Sequence, residues 1–130
     1  MAALYLDTSV LGRILLGEPD AAGALGTLGD FDQHVSSRLL PVELRRLALR
    51  HDRLADADQL LAGVALLPLD ETTLRSAETF APPGVATLDA IHLAAALRVA
   101  DAGLLGALMT YDARLAAGAA EHGLPMVGSA

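Results

Sequence analysis

The stretch Ala3-Leu-Tyr-Leu-Asp-Thr-Ser-Val10 decides the fold. Residues 3–6 form an apolar run, a carboxylate ends it at Asp7, and two hydroxyls, Thr8 and Ser9, come directly after. A short apolar strand followed at once by helix-capping residues is how a strand gives way to a helix in a parallel α/β sheet. Such sheets bind their ligands beyond the carboxyl ends of the strands. Asp7 is therefore the first candidate site residue.

The rest of the chain repeats this alternation. A helix is expected over residues 10–16, with Thr8 or Ser9 as cap and Gly17 as stop, and a weaker one over 20–28, diluted by Gly23 and Gly26. A second strand is expected at 34–37. Ser37 then caps a helix over 38–51, which tolerates Pro41 in its first turn, and another helix covers 54–62. A third strand is read at 64–69, Asp70 caps a helix over 71–80, and Thr87 caps an Ala-rich helix over 88–100. A fourth strand at 108–110, a helix over 113–122 ended by Gly123, and a last strand at 125–127 complete the chain. The pattern predicts an α/β fold with three α/β/α layers and a mainly parallel sheet of about five short strands. No repeat, linker or shift in composition divides it, so residues 1–130 are expected to form one domain.

Composition narrows the function. Nine basic residues, all arginine, against sixteen acidic ones give a net charge of −7, which argues against binding nucleic acid by bulk attraction but permits a local basic patch. The absence of cysteine removes disulfides, thiolate metal sites and a cysteine nucleophile, so any metal needs oxygen or imidazole ligands. No secretory signal is read at the start, and the longest uncharged run, 59–69, falls short of the ~20 residues that span a bilayer. A soluble, cytoplasmic protein is expected. Its 53% hydrophobic content predicts apolar surface covered by a partner or a second copy.

Three more acids hold positions like that of Asp7. Asp112 follows the 108–110 strand in Thr110-Tyr-Asp112, on the same sheet edge; an N-cap role also accounts for it, and the two are compatible. Asp89 lies in the first helical turn of Thr87-Leu-Asp-Ala-Ile-His92, where the helix dipole alone favours an acid by up to about 1 kcal/mol. Leu88, Ile91 and Ala95 are read as that helix's buried stripe, with Asp89 and His92 flanking it. His92 either holds Asp89 by a hydrogen bond or, as such residues more often do, is satisfied by backbone. Glu43 falls between an apolar stripe of Leu40, Leu44 and Leu47 and an arginine stripe of Arg46, Arg50 and Arg53. It either pairs with Arg46, for about 0.2–0.5 kcal/mol, or stands at a cleft rim with arginines beyond it. The arginine stripe is either a solvated face or a set of cations placed to meet a phosphate.

Converging carboxylates with no basic residue among them repel one another, a costly arrangement unless a cation occupies it. Oxygen ligands without sulfur suit Mg²⁺ or Mn²⁺. Such an ion activates water and neutralises charge on a phosphoryl group, which makes a phosphodiester the natural substrate.

Four pieces of the chain, in this order, resemble the PIN-domain nucleases, specifically the VapC-type toxins of toxin-antitoxin pairs. They are Leu6-Asp-Thr-Ser-Val10, Ser37 with Glu43, Thr87-Leu-Asp-Ala-Ile-His-Leu93, and Thr110-Tyr-Asp-Ala-Arg-Leu115, and the resemblance runs from Leu4 to Val127. It implies a PIN-like fold and a metal-dependent endoribonuclease that hydrolyses RNA with a metal-activated water. In it Asp7, Glu43, Asp89 and Asp112 form the acidic quartet that binds Mg²⁺ or Mn²⁺, with Ser9 or Thr110 in support. It also implies an RNA substrate, a cognate VapB-type antitoxin covering the cleft, and a homodimer that joins a higher complex with the antitoxin. Many relatives carry a basic residue where Gly84-Val-Ala86 precedes Thr87 here, and the fourth acidic position varies most, so Asp112 is expected to matter less than Asp7 or Asp89.

Two other classes compete. A phospho-receiver-like signalling module shares the small parallel sheet and clustered acids but needs a lysine near its site, and this chain has none. Haloacid-dehalogenase-like phosphatases place a second aspartate where this chain has Ser9. A catalytically silent PIN-fold binding protein would keep the fold without turnover.

Overall fold

The computed structural model describes residues 2–128. In chain order it contains β1 (Ala3–Leu6), α1 (Thr8–Leu15), α2 (Ala21–Gly29), β2 (Gln33–Ser37), α3 (Leu39–Arg50) and α4 (Leu54–Leu61). There follow β3 (Ala65–Leu67), α5 (Glu71–Thr79), α6 (Thr87–Asp101), β4 (Leu105–Met109) and α7 (Ala113–Glu121). The strands form one sheet in the order β3-β2-β1-β4, and every pairing is parallel. β1 thus has a neighbour on each side and is buried along its whole length. Strands covered on both faces must be apolar at successive positions, and residues 3–6 meet that demand.

Alternation along β1 divides the core in two. Leu4 and Leu6 join Val10, Leu11, Leu40 and Leu44 in the layer built by α1 to α4. Tyr5 points the other way, into a cluster with Leu93, Ala96, Leu108 and Leu115 from α6, β4 and α7. Burying each such leucine stabilises by roughly 1.5–3 kcal/mol, so the residues on either side of the sheet also fix where β1 ends. These layers are the α/β/α arrangement expected from the sequence. Helix α7 comes near α6 because residue 118 is glycine: a Cβ there would lie 2.9 Å from Val85 Cγ2 and 3.2 Å from Leu93 Cδ2.

The sheet departs from expectation at its edges. Four strands are present among the described residues, and the fifth, at 125–127, is reduced to one parallel bridge between Leu108 and Met126. Leu108 N donates to Pro125 O at 2.8 Å and Val127 N to Leu108 O at 3.1 Å, but Pro125 has no N–H with which to extend the ladder. β3 stops at Leu67, just before Pro68, for the same reason. β4 begins at Leu105, earlier than expected, and contains Gly106. A Cβ on Gly106 would lie 2.8 Å from that of Ala2, and the register shifts between Ala3 and Leu4, so this glycine marks a close approach inside a strand and not a loop.

Helix ends follow the sequence in part. Gly17 and Gly123 lie just past α1 and α7 at φ +63° and +70°, where glycine is unstrained, and Asp70 caps α5 by accepting from Thr73 N at 2.9 Å. Ser37 Oγ accepts from Leu39 N at 3.2 Å, although Arg38 takes the N-cap position of α3. Thr8, Ser9 and Thr87 do not cap. Asp7 occupies the N-cap position of α1 without bonding to the helix, its carboxylate being engaged at the site described below, and Ala86, which has no polar side chain, occupies that of α6.

A cavity of about 300 Å³ lies against the sheet, lined by Val35, Leu67 and Val99 together with Asp70, Thr73 and Arg98. None of the candidate acids at positions 7, 43, 89 and 112 lines it. Leu25 on α2 and Val42 and Leu49 on α3 stand exposed, part of the apolar surface that the composition foretold.

Candidate active site

The carboxyl ends of β1 and β4 and the first turns of α6 and α7 bring Asp7, Asp89 and Asp112 into electrostatic reach of one another. Asp7 is 3% exposed. Its Oδ1 accepts from Ser9 Oγ at 2.6 Å and its Oδ2 from Thr110 Oγ1 at 2.8 Å. Those hydroxyls accept in turn from the backbone after β4: Ser9 Oγ from Tyr111 N at 2.8 Å, Thr110 Oγ1 from Asp112 N at 3.0 Å. Two strand ends are thereby tied together around one carboxylate. Burial pushes the Asp7 carboxyl above its ordinary pKa; the Ser9 and Thr110 hydrogen bonds and nearby His92 oppose the rise, and Asp112 adds to it.

Asp89 is half-buried, and its pKa is pushed up to about 6, first by burial and then by the neighbouring carboxylates of Asp112 and Asp7. Asp112 also caps α7, its Oδ1 accepting from Arg114 N at 2.9 Å and Leu115 N at 3.0 Å. Both roles considered for Asp112 are thus structurally compatible: one oxygen serves the helix while the residue stands beside Asp89.

Glu43 has other partners. Its Oε1 accepts from Thr8 Oγ1 at 2.6 Å and from His92 Nε2 at 2.9 Å. Burial acts to raise its pKa, but those two hydrogen bonds outweigh it and the net shift is downward. The ion pair considered with Arg46 is absent among the described residues; Arg46 and Arg50 are exposed without an acid partner, and Arg53 meets Asp56 at 3.8 Å. Arg45, outside the expected stripe, pairs with Asp58 at 3.0 Å.

His92 corrects the sequence reading. It is 1% exposed and is neither satisfied by backbone nor bonded to Asp89: Nδ1 lies 2.8 Å from the Tyr5 hydroxyl, and Nε2 meets Glu43. Leu88 is exposed rather than part of a buried stripe, since α6 packs through its later turns, from Ala90 to Val99. The sequence reading missed Tyr5, Thr8 and Arg13. A tyrosine inside an apolar strand is a readable signal, because its buried hydroxyl needs a partner. No sequence signal marks Arg13, whose guanidinium carbon lies 4.9 Å over the Tyr111 ring, beside the loop that carries Asp112.

Among the described residues, no three His, Asp or Glu side chains form a ready-made metal-binding group. The donor chemistry nevertheless fits a hard divalent cation. Asp7, Asp89 and Asp112 offer oxygen donors, two of them with raised pKa values, and among the described residues no arginine side chain is hydrogen-bonded to any of their carboxylates.

Comparison with known proteins agrees with this geometry. The PIN domain family matches residues 4–121. Ribonuclease VapC47 of Mycobacterium tuberculosis (strain CDC 1551 / Oshkosh) is 37% identical over 127 residues, covering 92% of both chains. Ribonuclease VapC46 of M. tuberculosis (strain ATCC 25618 / H37Rv) is 35% identical over 129 residues, covering 98% of both. A solved toxin-antitoxin complex from Klebsiella pneumoniae contains a chain with the same fold, at a TM-score of 0.71 and 18% identity, covering 99% of this chain and 96% of that one. The strand-end acids, the parallel sheet and this similarity along nearly its whole length agree: the chain belongs to the PIN-domain family, among its VapC-type members.

Proposed function

We propose that this protein is a divalent-metal-dependent endoribonuclease and the toxin of a toxin-antitoxin pair. The observation that carries the reading is the mutual repulsion of Asp7, Asp89 and Asp112 at one sheet edge, where Asp89 is driven up to about 6. Three oxygen-bearing side chains set against one another at that edge suit Mg²⁺ or Mn²⁺. When bound, such an ion supplies an activated water and neutralises charge on the phosphoryl group under attack. The chain's own residues do the rest: Ser9 and Thr110 orient Asp7, and Asp112 is fixed by the turn it caps. Thr8 and His92 hold Glu43 by its Oε1.

The names of the relatives support ribonuclease activity, and together with the toxin-antitoxin complex from K. pneumoniae they support an antitoxin as partner, which we take to be of VapB type. The exposed Val42 and Leu49 on α3 favour a covering partner or a homodimer, which the antitoxin would join in a higher complex, and Arg46, Arg50 and Arg53 are the cations offered to RNA or to an acidic antitoxin segment. No described helix is long and apolar enough to cross a membrane, and the place of action proposed is the cytoplasm. With Mg²⁺ or Mn²⁺ the purified protein should cleave RNA, chelation should stop it, and Asp7→Asn should lower the rate by about 10²–10³-fold or more, the scale on which groups acting at the reacting centre register. Cleavage by Asp7→Asn at the wild-type rate would overturn this mechanism.

A further inference from the structure

Four side chains form a continuous hydrogen-bonded file into the site. The Tyr5 hydroxyl lies 2.8 Å from His92 Nδ1, His92 Nε2 lies 2.9 Å from Glu43 Oε1, and Thr8 Oγ1 donates to that same oxygen at 2.6 Å. Tyr5 and His92 are 0% and 1% exposed. A carboxylate only accepts hydrogen bonds, so Nε2 must carry a proton; the buried phenol then donates to Nδ1 and fixes that tautomer. The aromatic rings meet edge to face, their centroids 5.9 Å apart, which fixes the imidazole plane as well.

Both donors fall on one carboxylate oxygen. Among the described residues Oε2 of Glu43 receives no hydrogen bond. If the file served only to join β1, α3 and α6, apolar side chains of similar size would do so at least as well, without burying a phenol and an imidazole. The Glu43 side chain is 25% exposed, so the oxygen without a protein partner is one that solvent or a cation can reach.

We propose that Tyr5 and His92 are positioning residues that hold Glu43 with Oε1 saturated and Oε2 free as a ligand for a divalent cation. The inference rests on the metal-dependent reading above. It treats His92 as part of the metal site's supporting layer. Such supporting partners typically change metal affinity by roughly 10–100-fold when removed.

Calorimetric titration of Mn²⁺ into the metal-free full chain tests this, with Tyr5→Phe, His92→Gln, His92→Leu and Asp7→Asn run beside wild type. Tyr5→Phe and His92→Leu should each weaken Mn²⁺ binding, the latter by roughly 10-fold or more, and His92→Gln, which keeps an N–H donor, should recover part of that loss. In metal-free wild type the imidazole ¹⁵N spectrum should show His92 protonated on Nε2, and Tyr5→Phe should alter that pattern while the far-UV spectrum stays unchanged. If His92→Leu does not fold, Tyr5→Phe and His92→Gln decide the matter. Wild-type Mn²⁺ affinity in folded Tyr5→Phe and His92 variants, with binding lost in Asp7→Asn, would overturn the positioning role and leave the proposed function standing. Absence of Mn²⁺ binding by wild type, or full binding by Asp7→Asn, would overturn both.

Discussion

Asp70 and Asp89 occupy similar places on neighbouring helices, at the N-cap of α5 and in the first turn of α6, yet their surroundings drive them in opposite directions. The Arg98 guanidinium and the backbone and hydroxyl of Thr73 bring Asp70 down to about 2. Burial, Asp112 and Asp7 bring Asp89 up to about 6. A helix N-terminus favours an acid in both cases, so the dipole does not account for the difference. Burial and counter-charge do: Asp89 is half-buried and faces two more acids, whereas Asp70 is less buried and has an arginine. One carboxylate is complete within the fold; the other has acids and no arginine beside it, and the proposed function gives it a cation.

The largest effect expected from this contrast is the response to metal. Mn²⁺ at a hundred times its dissociation constant should stabilise the protein by about 2.7 kcal/mol, read from urea unfolding with and without chelator. Asp89→Asn should remove most of that gain and Asp70→Asn none. If Mn²⁺ shifts unfolding no more than Na⁺ at equal ionic strength, the acid edge is not awaiting a cation and the contrast collapses.

A smaller effect concerns the metal-free protein. The folded pKa of Asp89, about 6, lies above its ordinary 3.8, so the folded state holds the proton more tightly and stability falls as pH rises from about 4 to 6. The full conversion of that shift would be ~3 kcal/mol, but the residue is half exposed and solvent screening reduces it to about 1 kcal/mol. Asp89→Asn should therefore stabilise the apo protein at pH 7 by about that amount and have little effect near pH 4. Equal effects at both pH values would place the cost of Asp89 in its shape and not its charge.

Asp70 should give the smallest change, with the opposite sign. Its folded pKa lies below 3.8, so its contribution is fully present above about pH 4 and disappears as pH falls toward 2. Asp70→Asn should lower the melting temperature modestly at pH 7 and leave it unchanged at pH 2. A drop that persists at pH 2 would show that hydrogen bonding to Thr73, which an asparagine only partly reproduces, outweighs the pairing with Arg98.

The sequence carried the frame of the molecule further than its cross-connections. Apolar runs ending in acids located β1 and the edge that bears Asp7 and Asp112, and glycine at 17 and 123 ended the right helices. Residue order along one element sets its own face, so Asp89 and His92 were correctly put on one helix. Which residue of another element meets that face depends on how the layers stack, and helical spacing carries no information about it. Tyr5, 87 residues from His92, came into view only when β1 and α6 were packed together. The fifth strand failed for a simpler reason, since apolar pattern says nothing of the N–H that Pro125 lacks.

Gly118 gives the site an adjustment far from its charges. Asp89 and Asp112 sit near the starts of α6 and α7, and the missing side chain at 118 lets one helix lie against Val85 and Leu93 of the other's approach. The two helices act as the jaws of a calliper whose gap is set more than a turn away from its tips. A methyl group added at that contact should spread the jaws without altering any ionisable group, so the spacing of two acids is written in a position that carries no chemistry at all.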